Sequence, residues 1–169
     1  MFGIAVMTAA LALTPEWVLD KMEKLEPRSP WGYTFPETAT AISEAANDMP
    51  LSTSPDGAHR TAAILIAIAY HESRFNPVVI GDGGKSFGLY QIQTGAAPGL
   101  VANALLLPRD ASRVAISLIR TSFRVCGGMP WTEKLGWYAS GGMTCGDRYH
   151  GREKSRVRML LADRLLKGE

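Results

Sequence analysis

Apolar positions recur with a helical period along most of this chain, and the few places where the period breaks are marked by proline or glycine. Residues 15–26, PEWVLDKMEKLE, predict a helix with Thr14 as N-cap and Pro15 at its first position, stopped by Pro27. After the loop RSPWGYTFP, Pro36 opens a second helix over ETATAISEAANDM. A polar turn from Pro50 to Gly57 leads into DGAHRTAAILIAIAYHES, the most apolar stretch. No charged residue lies between Ala62 and Tyr70, so this helix is expected to be buried on most sides, with Glu72 in its last turn. From Asn76 to Ser86 the period is lost. Val78-Val79-Ile80 followed by Gly81-Asp82-Gly83-Gly84 predicts a small hairpin or an irregular loop, with a short helix near Leu89. APGLVANALLL and PRDASRVAISLIRTSFRVC predict two more helices divided at Pro108, WTEKLGWYAS a short amphipathic one ended by Gly141-Gly142, and GREKSRVRMLLADRLLK the last. The fold class is mainly α, in one domain, with one small β-hairpin at most. No internal repeat or low-complexity tract interrupts it.

Composition narrows the function classes. A length of 169 residues suits one domain, and 46% hydrophobic with 20% charged residues supports a folded core. A net charge of +2 is too small to make nucleic acid a main partner. Residues 147–167 are locally basic, through Arg148, Arg152, Lys154, Arg156, Arg158, Arg164 and Lys167, and read as a solvated helix face. The apolar run FGIAVMTAALAL is too short to span a bilayer. It is either the apolar part of a secretory signal, with Ala10-Leu11-Ala12 as cleavage site, or an arm that docks on a partner; no Lys or Arg precedes Lys21, which departs from a signal's basic start. The two cysteines, Cys126 and Cys145, both sit beside glycines. A disulfide between them would close a loop of about 20 residues, stabilise by roughly 3 kcal/mol and imply an oxidising site of action; two unpaired thiols are the alternative. No Cys or His cluster has metal-ligand spacing, so neither metal nor cofactor is expected.

Glu72 is the residue with chemical promise. A carboxyl carried to the end of a buried helix is desolvated, which disfavours its charged form and raises its pKa. A raised carboxyl makes a general acid near neutral pH, the group that glycosidic cleavage needs at the leaving oxygen. Asn76-Pro77 ends the helix soon after it, because the residue before proline avoids the α region, and the chain turns back.

The segment HESRFNPVVIGDGGKSFGLYQIQ resembles the catalytic segment of the soluble lytic transglycosylases and their goose-type lysozyme relatives. The first matching part is Glu72-Ser73-Arg74-Phe75-Asn76-Pro77, and the second, at the family's spacing, is Ser86-Phe87-Gly88-Leu89-Tyr90-Gln91-Ile92. A later Tyr-Asn-Ala-Gly motif is matched by Tyr138-Ala139-Ser140-Gly141, with Ala139 in place of the asparagine. The resemblance covers about half the chain, from Ala58 to Gly142, and implies a lysozyme-like fold. With the pattern of the residues before it, the chain reads as an apolar arm or signal-like segment (1–13), an N-terminal helical region (14–57) and a lysozyme-like catalytic region (58–169). The resemblance implies that Glu72 is general acid and then base, that Ser86 sits near the acid or the sugar's acetamido group, that Tyr90 and Gln91 line the sugar cleft, and that Tyr138 orients Glu72 or the substrate. The residues themselves agree: Gly81, Gly83 and Gly84 permit a tight turn, and Phe87, Tyr90 and Trp137 offer flat apolar faces to sugar rings.

Three functions remain open at this stage. With Glu72 alone, the muramic acid hydroxyl attacks its own anomeric carbon and the enzyme is a lytic transglycosylase; high effective concentration replaces a second activating group. With Asp82 as second carboxylate, water attacks and the enzyme is a muramidase. Without catalysis, the chain is a structural component of a phage tail or envelope assembly. The expected partner is the peptidoglycan glycan strand, and a virion or cell-envelope assembly through the N-terminal arm. The expected location is periplasmic, extracellular or virion-associated, with no transmembrane span. His59, His71 and His150 read as structural or surface residues.

Overall fold

A computed structural model describes residues 12–96, 101–146 and 150–169. Residues 1–11 of the apolar arm (1–13) and Arg148 lie outside the described residues. Among the latter are six α-helices and a small antiparallel sheet. Helix α1 (Pro15–Leu25) starts as expected: the Thr14 hydroxyl accepts from the Trp17 N–H at 3.4 Å, with proline in the first turn. Helix α2 (Phe35–Asp48) follows a single 3-10 turn at Gly32–Thr34. Helix α3 (Gly57–Ser73) is the central rod, with every residue from Ala62 to Ala69 buried. Around it pack α1, α2, α4 (Pro108–Val125) and α6 (Gly151–Lys167), the last lying along α3. One continuous core joins Met22, Ile42, Leu65, Ile116 and Met159, each fully buried. Each such side chain contributes about 1.5–3 kcal/mol of burial.

The region without helical period folds into three two-residue strands, β1 (Ile80–Gly81), β2 (Ser86–Phe87) and β3 (Ile92–Gln93), in the order β1-β2-β3. The mainly α expectation holds, and the single hairpin becomes two, with Ser86 facing Gly81 on one side and Gln93 on the other. Near Leu89 there is a turn and not a helix, because Gly88 (φ 69°) and Gln91 (φ 45°) both take left-handed backbone conformations. Of the helix expected over APGLVANALLL, residues 97–100 lie outside the described ones, and Ala102–Leu106 is a 3-10 turn.

The expected helix over WTEKLGWYAS is split into a 3-10 turn, Trp131–Glu133, and the one-turn helix α5 (Gly136–Ala139). Side chains from neighbouring helices capture the backbone between them. The Ser122 hydroxyl of α4 donates to the Lys134 carbonyl at 2.8 Å, and Ser155 Oγ of α6 accepts from the Leu135 N–H at 3.0 Å. The basic C-terminal stretch is also not a uniformly solvated face. Arg152 and Arg156 both pair with Glu133, which is 2% exposed, and Arg158 is 5% exposed. The Arg152 hydrogen bond, burial and the Arg156 hydrogen bond compete at Glu133, and the arginines win, holding its carboxyl below the usual range.

Cys126 and Cys145 form the expected disulfide, with Cα atoms 5.5 Å apart and a sequence separation of 19. It ties the end of α4 to the loop after α5, which carries one wall of the cleft described below. Reducing it, or replacing both cysteines by serine, is expected to lower stability by about 3 kcal/mol. Urea unfolding with and without reductant measures this.

Candidate active site

Glu72 is delivered by the end of α3, and that end is strained. Arg74 (φ 52°) and Phe75 (φ 61°) are two successive non-glycine residues in left-handed conformation, a state that costs on the order of 1–3 kcal/mol each. Their side chains hold them there. Arg74 pairs with Glu26 at 2.8 Å and lies 4.2 Å over the Tyr70 ring. Phe75 is fully buried, edge-on to Phe35 at 5.4 Å. The chain then reverses through Asn76, whose side-chain oxygen accepts from the Val78 N–H at 3.0 Å. Ser73 adds a direct strut: its Oγ lies 2.8 Å from the Leu89 carbonyl and 3.0 Å from that of Ala69, so one hydroxyl ties the hairpin loop back to α3.

These elements enclose an open cleft of about 740 Å³, with Glu72 in its lining. Asp82 and Gln91 lie on the sheet side, and Trp137, Tyr138 and Met143 on the side of α5 and its following loop. Lys154 of α6 also lines it. Burial pushes the Glu72 carboxyl up, and Asp82 adds to this; the charges of Arg158 and Lys154 oppose both without cancelling them. The raised carboxyl expected at the end of an apolar helix is therefore present, held by Arg158 Nη2, which donates to Glu72 Oε1 at 2.5 Å.

The other residues singled out from the sequence gather at the same cleft, though not all in the roles expected. Ser86 is buried and spends its hydroxyl on Asp82 Oδ2, in a short hydrogen bond across the β-turn. Asp82 is exposed and left-handed (φ 49°). Gln91 uses its amide nitrogen on the carbonyls of Gly88 (3.0 Å) and Val79 (3.3 Å). Its side-chain oxygen occupies the space a Cβ on Gly81 would need, 2.2 Å from that position. Gln91 therefore braces the hairpin, with its side-chain amide packed against the Gly81 backbone.

Tyr90 is among the cleft-lining residues but offers no free ring face: it is 1% exposed and its hydroxyl pairs with Ser112 at 2.8 Å. Phe87 packs against the core and is not among the cleft-lining residues. Of the three aromatics, Trp137 is the one left half-buried at the cleft, with the Gly142 backbone against its indole. Tyr138 donates its hydroxyl to the Tyr90 carbonyl at 2.9 Å and its N–H to Ser122 Oγ at 3.1 Å. Burial, and then the nearby Glu72 charge, push its phenol well above the ordinary value, so it remains a neutral donor at working pH. The position where the family's asparagine is replaced, Ala139, also faces the cleft.

Sequence reasoning missed Arg158 as part of this site. The signal was available: Ser155, Arg158, Met159, Ala162 and Leu165 form one buried stripe at helical spacing, with the arginine inside it. Among the described residues no group of His, Cys, Asp and Glu is arranged to hold a metal ion, and no helix is long and apolar enough to cross a membrane.

A helix end presenting one half-buried carboxyl to an open cleft beside a small antiparallel sheet, on a mainly α fold, is the arrangement expected of a lysozyme-like domain. The profile of the Transglycosylase SLT domain matches residues 56–158, and the chain belongs to that family. Comparison with curated proteins returns no significant match. Family membership assigns the chain a transglycosylase-type action on peptidoglycan in general.

Proposed function

We propose that the protein cleaves the β-1,4 bond between N-acetylmuramic acid and N-acetylglucosamine as a lytic transglycosylase, leaving 1,6-anhydro-muropeptides. The observation that carries this reading is the pairing of one raised, cleft-lining carboxyl, Glu72, with a second carboxylate, Asp82, that is already engaged by Ser86. Glu72 protonates the glycosidic oxygen and leaves as carboxylate. The same carboxylate then takes the proton of the muramic acid 6-hydroxyl as that oxygen attacks the anomeric carbon, so the proton count closes with no water consumed. Intramolecular attack needs little activation beyond this, because the nucleophile is held at high effective concentration. Tyr138 and Ser73 act by holding the loop beside Glu72, and Trp137 offers a sugar ring a flat face.

Hydrolysis is the second reading, favoured by one observation: Asp82 lines the same cleft and its charge is felt at Glu72. Digestion of bacterial sacculi followed by mass spectrometry of the fragments separates the two. Anhydro ends are expected, and reducing ends would move the assignment to a muramidase. Asp82→Asn is expected to retain anhydro-product formation within about tenfold of wild type, since no step is assigned to that carboxylate; a loss of 100-fold or more, the scale of a lost general base, would contradict this. The disulfide and the substrate together favour action outside the cytoplasm, in the periplasm or extracellular space or from a virion.

A further inference from the structure

We infer that Arg158 is a positioning residue for the acid: it holds one carboxyl oxygen of Glu72 and leaves the other to face the bond being cut. This rests on the reading of Glu72 as general acid. The two residues lie 86 positions apart and meet where α6 crosses the end of α3. Among the described residues, Glu72 has one hydrogen bond, from Arg158 Nη2 to Oε1. A proton on this carboxyl therefore sits on Oε2, because Oε1 already faces a cation's N–H. Glu72 as a whole lines the cleft with its side chain 24% exposed, whereas that of Arg158 is 6% exposed.

Arg158 makes poor sense as a stabilising residue. Its Nη1 is buried and, among the described residues, has no hydrogen-bond partner. A buried guanidinium with an unsatisfied N–H is unfavourable, and an apolar side chain in the stripe with Met159 and Ala162 would avoid the cost. The contrast on the same helix is Arg156, which spends two N–H groups on the buried Glu133. What Arg158 does make is the contact to Glu72. The other groups around that carboxyl are Lys154 on α6, Asp82 on the hairpin and Tyr138 on α5. On α3 itself, burial and then the Arg158 charge hold the His71 imidazole below its ordinary value. Of these charged neighbours, Arg158 has the largest influence on Glu72.

The sign of the effect is fixed. A cation favours the carboxylate, so removing it raises the Glu72 pKa and keeps the acid protonated to higher pH. The test uses Arg158→Met and Arg158→Lys in the full chain, labelled with 13C-carboxyl glutamate; the Glu72 resonance is assigned by its absence in Glu72→Gln. Glu72 is expected to titrate at higher pH in Arg158→Met and close to wild type in Arg158→Lys. On sacculi, Arg158→Met is expected to lose up to about 100-fold in kcat, the scale of a misplaced reacting group, with its alkaline limb moved to higher pH. Arg158→Lys should keep the limb and recover part of the rate, since an ammonium supplies the charge without the planar fork. Unchanged Glu72 titration in Arg158→Met would overturn the inference. So would equal activity losses in both variants that track their thermal stability with no movement of the limb. If Arg158→Met does not fold, Arg158→Gln, neutral and able to donate, takes its place under the same criteria. A wild type that releases nothing from sacculi would overturn the glycosidase reading, and the titration, which needs no turnover, would still report whether Arg158 governs the carboxyl.

Discussion

Glu72→Gln is expected to abolish fragment release from sacculi, by at least about 100-fold, while leaving the fold intact. The amide is nearly isosteric and its oxygen still accepts from Arg158 Nη2, but it carries no proton that can pass to a leaving oxygen. Loss of a general acid costs on the order of 100- to 10,000-fold. The pH profile of the wild type follows from the same group. The acid must be protonated, so kcat/KM falls as pH rises through the Glu72 pKa. Burial raises that pKa against the pull of Arg158 and Lys154, so the limb lies above where an ordinary solvated glutamate would place it. A Glu72→Gln protein that still cleaves at wild-type rate would remove Glu72 from the chemistry altogether.

Gly88→Ala is expected to be the most damaging glycine-to-alanine substitution among the described residues, costing about 4 kcal/mol, a large share of a typical domain's stability. Two effects add. Gly88 has φ 69°, which strains any L side chain, and an added Cβ would lie 1.9 Å from the Leu105 carbonyl oxygen. Relief is not local, because the same residue donates to the Val79 carbonyl at 2.8 Å and accepts from the Gln91 N–H at 3.2 Å. Moving Gly88 therefore moves the sheet that walls the cleft. Gly84→Ala is the control: its φ of 89° brings strain, but nothing lies within 4 Å of an added Cβ. It should cost only about 1–2 kcal/mol. Urea denaturation of the two variants beside wild type reads the difference; equal losses would mean that the contact with Leu105 relaxes freely.

Much of this architecture was legible in the chain, and the legible parts share a cause. The α3 rod, with Glu72 in its last turn, follows from an unbroken apolar run closed by Asn76-Pro77, all within one local stretch. The α1 start at Thr14-Pro15 and the reversal into the hairpin are equally local. The disulfide could be anticipated because two cysteines allow one pairing. Phe87 and the Tyr90 ring illustrate where such reading fails: an aromatic next to a motif can turn its face to the cleft or to the core, and the choice was made by the core beneath β2 and by Ser112 on α4. The broken helix at residues 131–139 fails for the same reason, since serines from α4 and α6 capture its backbone.

What the sequence determined by itself is a carboxyl at the end of an apolar helix, the turn chemistry that brings a glycine-rich loop back beside it, and the family to which both belong. Local periodicity, proline placement and motif spacing carry that information over a few residues. Only the tertiary structure decided which groups surround that carboxyl. Arg158, Lys154 and Tyr138 arrive from helices far along the chain, and the balance of burial against their charges sets how Glu72 holds its proton. That balance depends on distances of a few ångströms between distant segments, which no local pattern encodes.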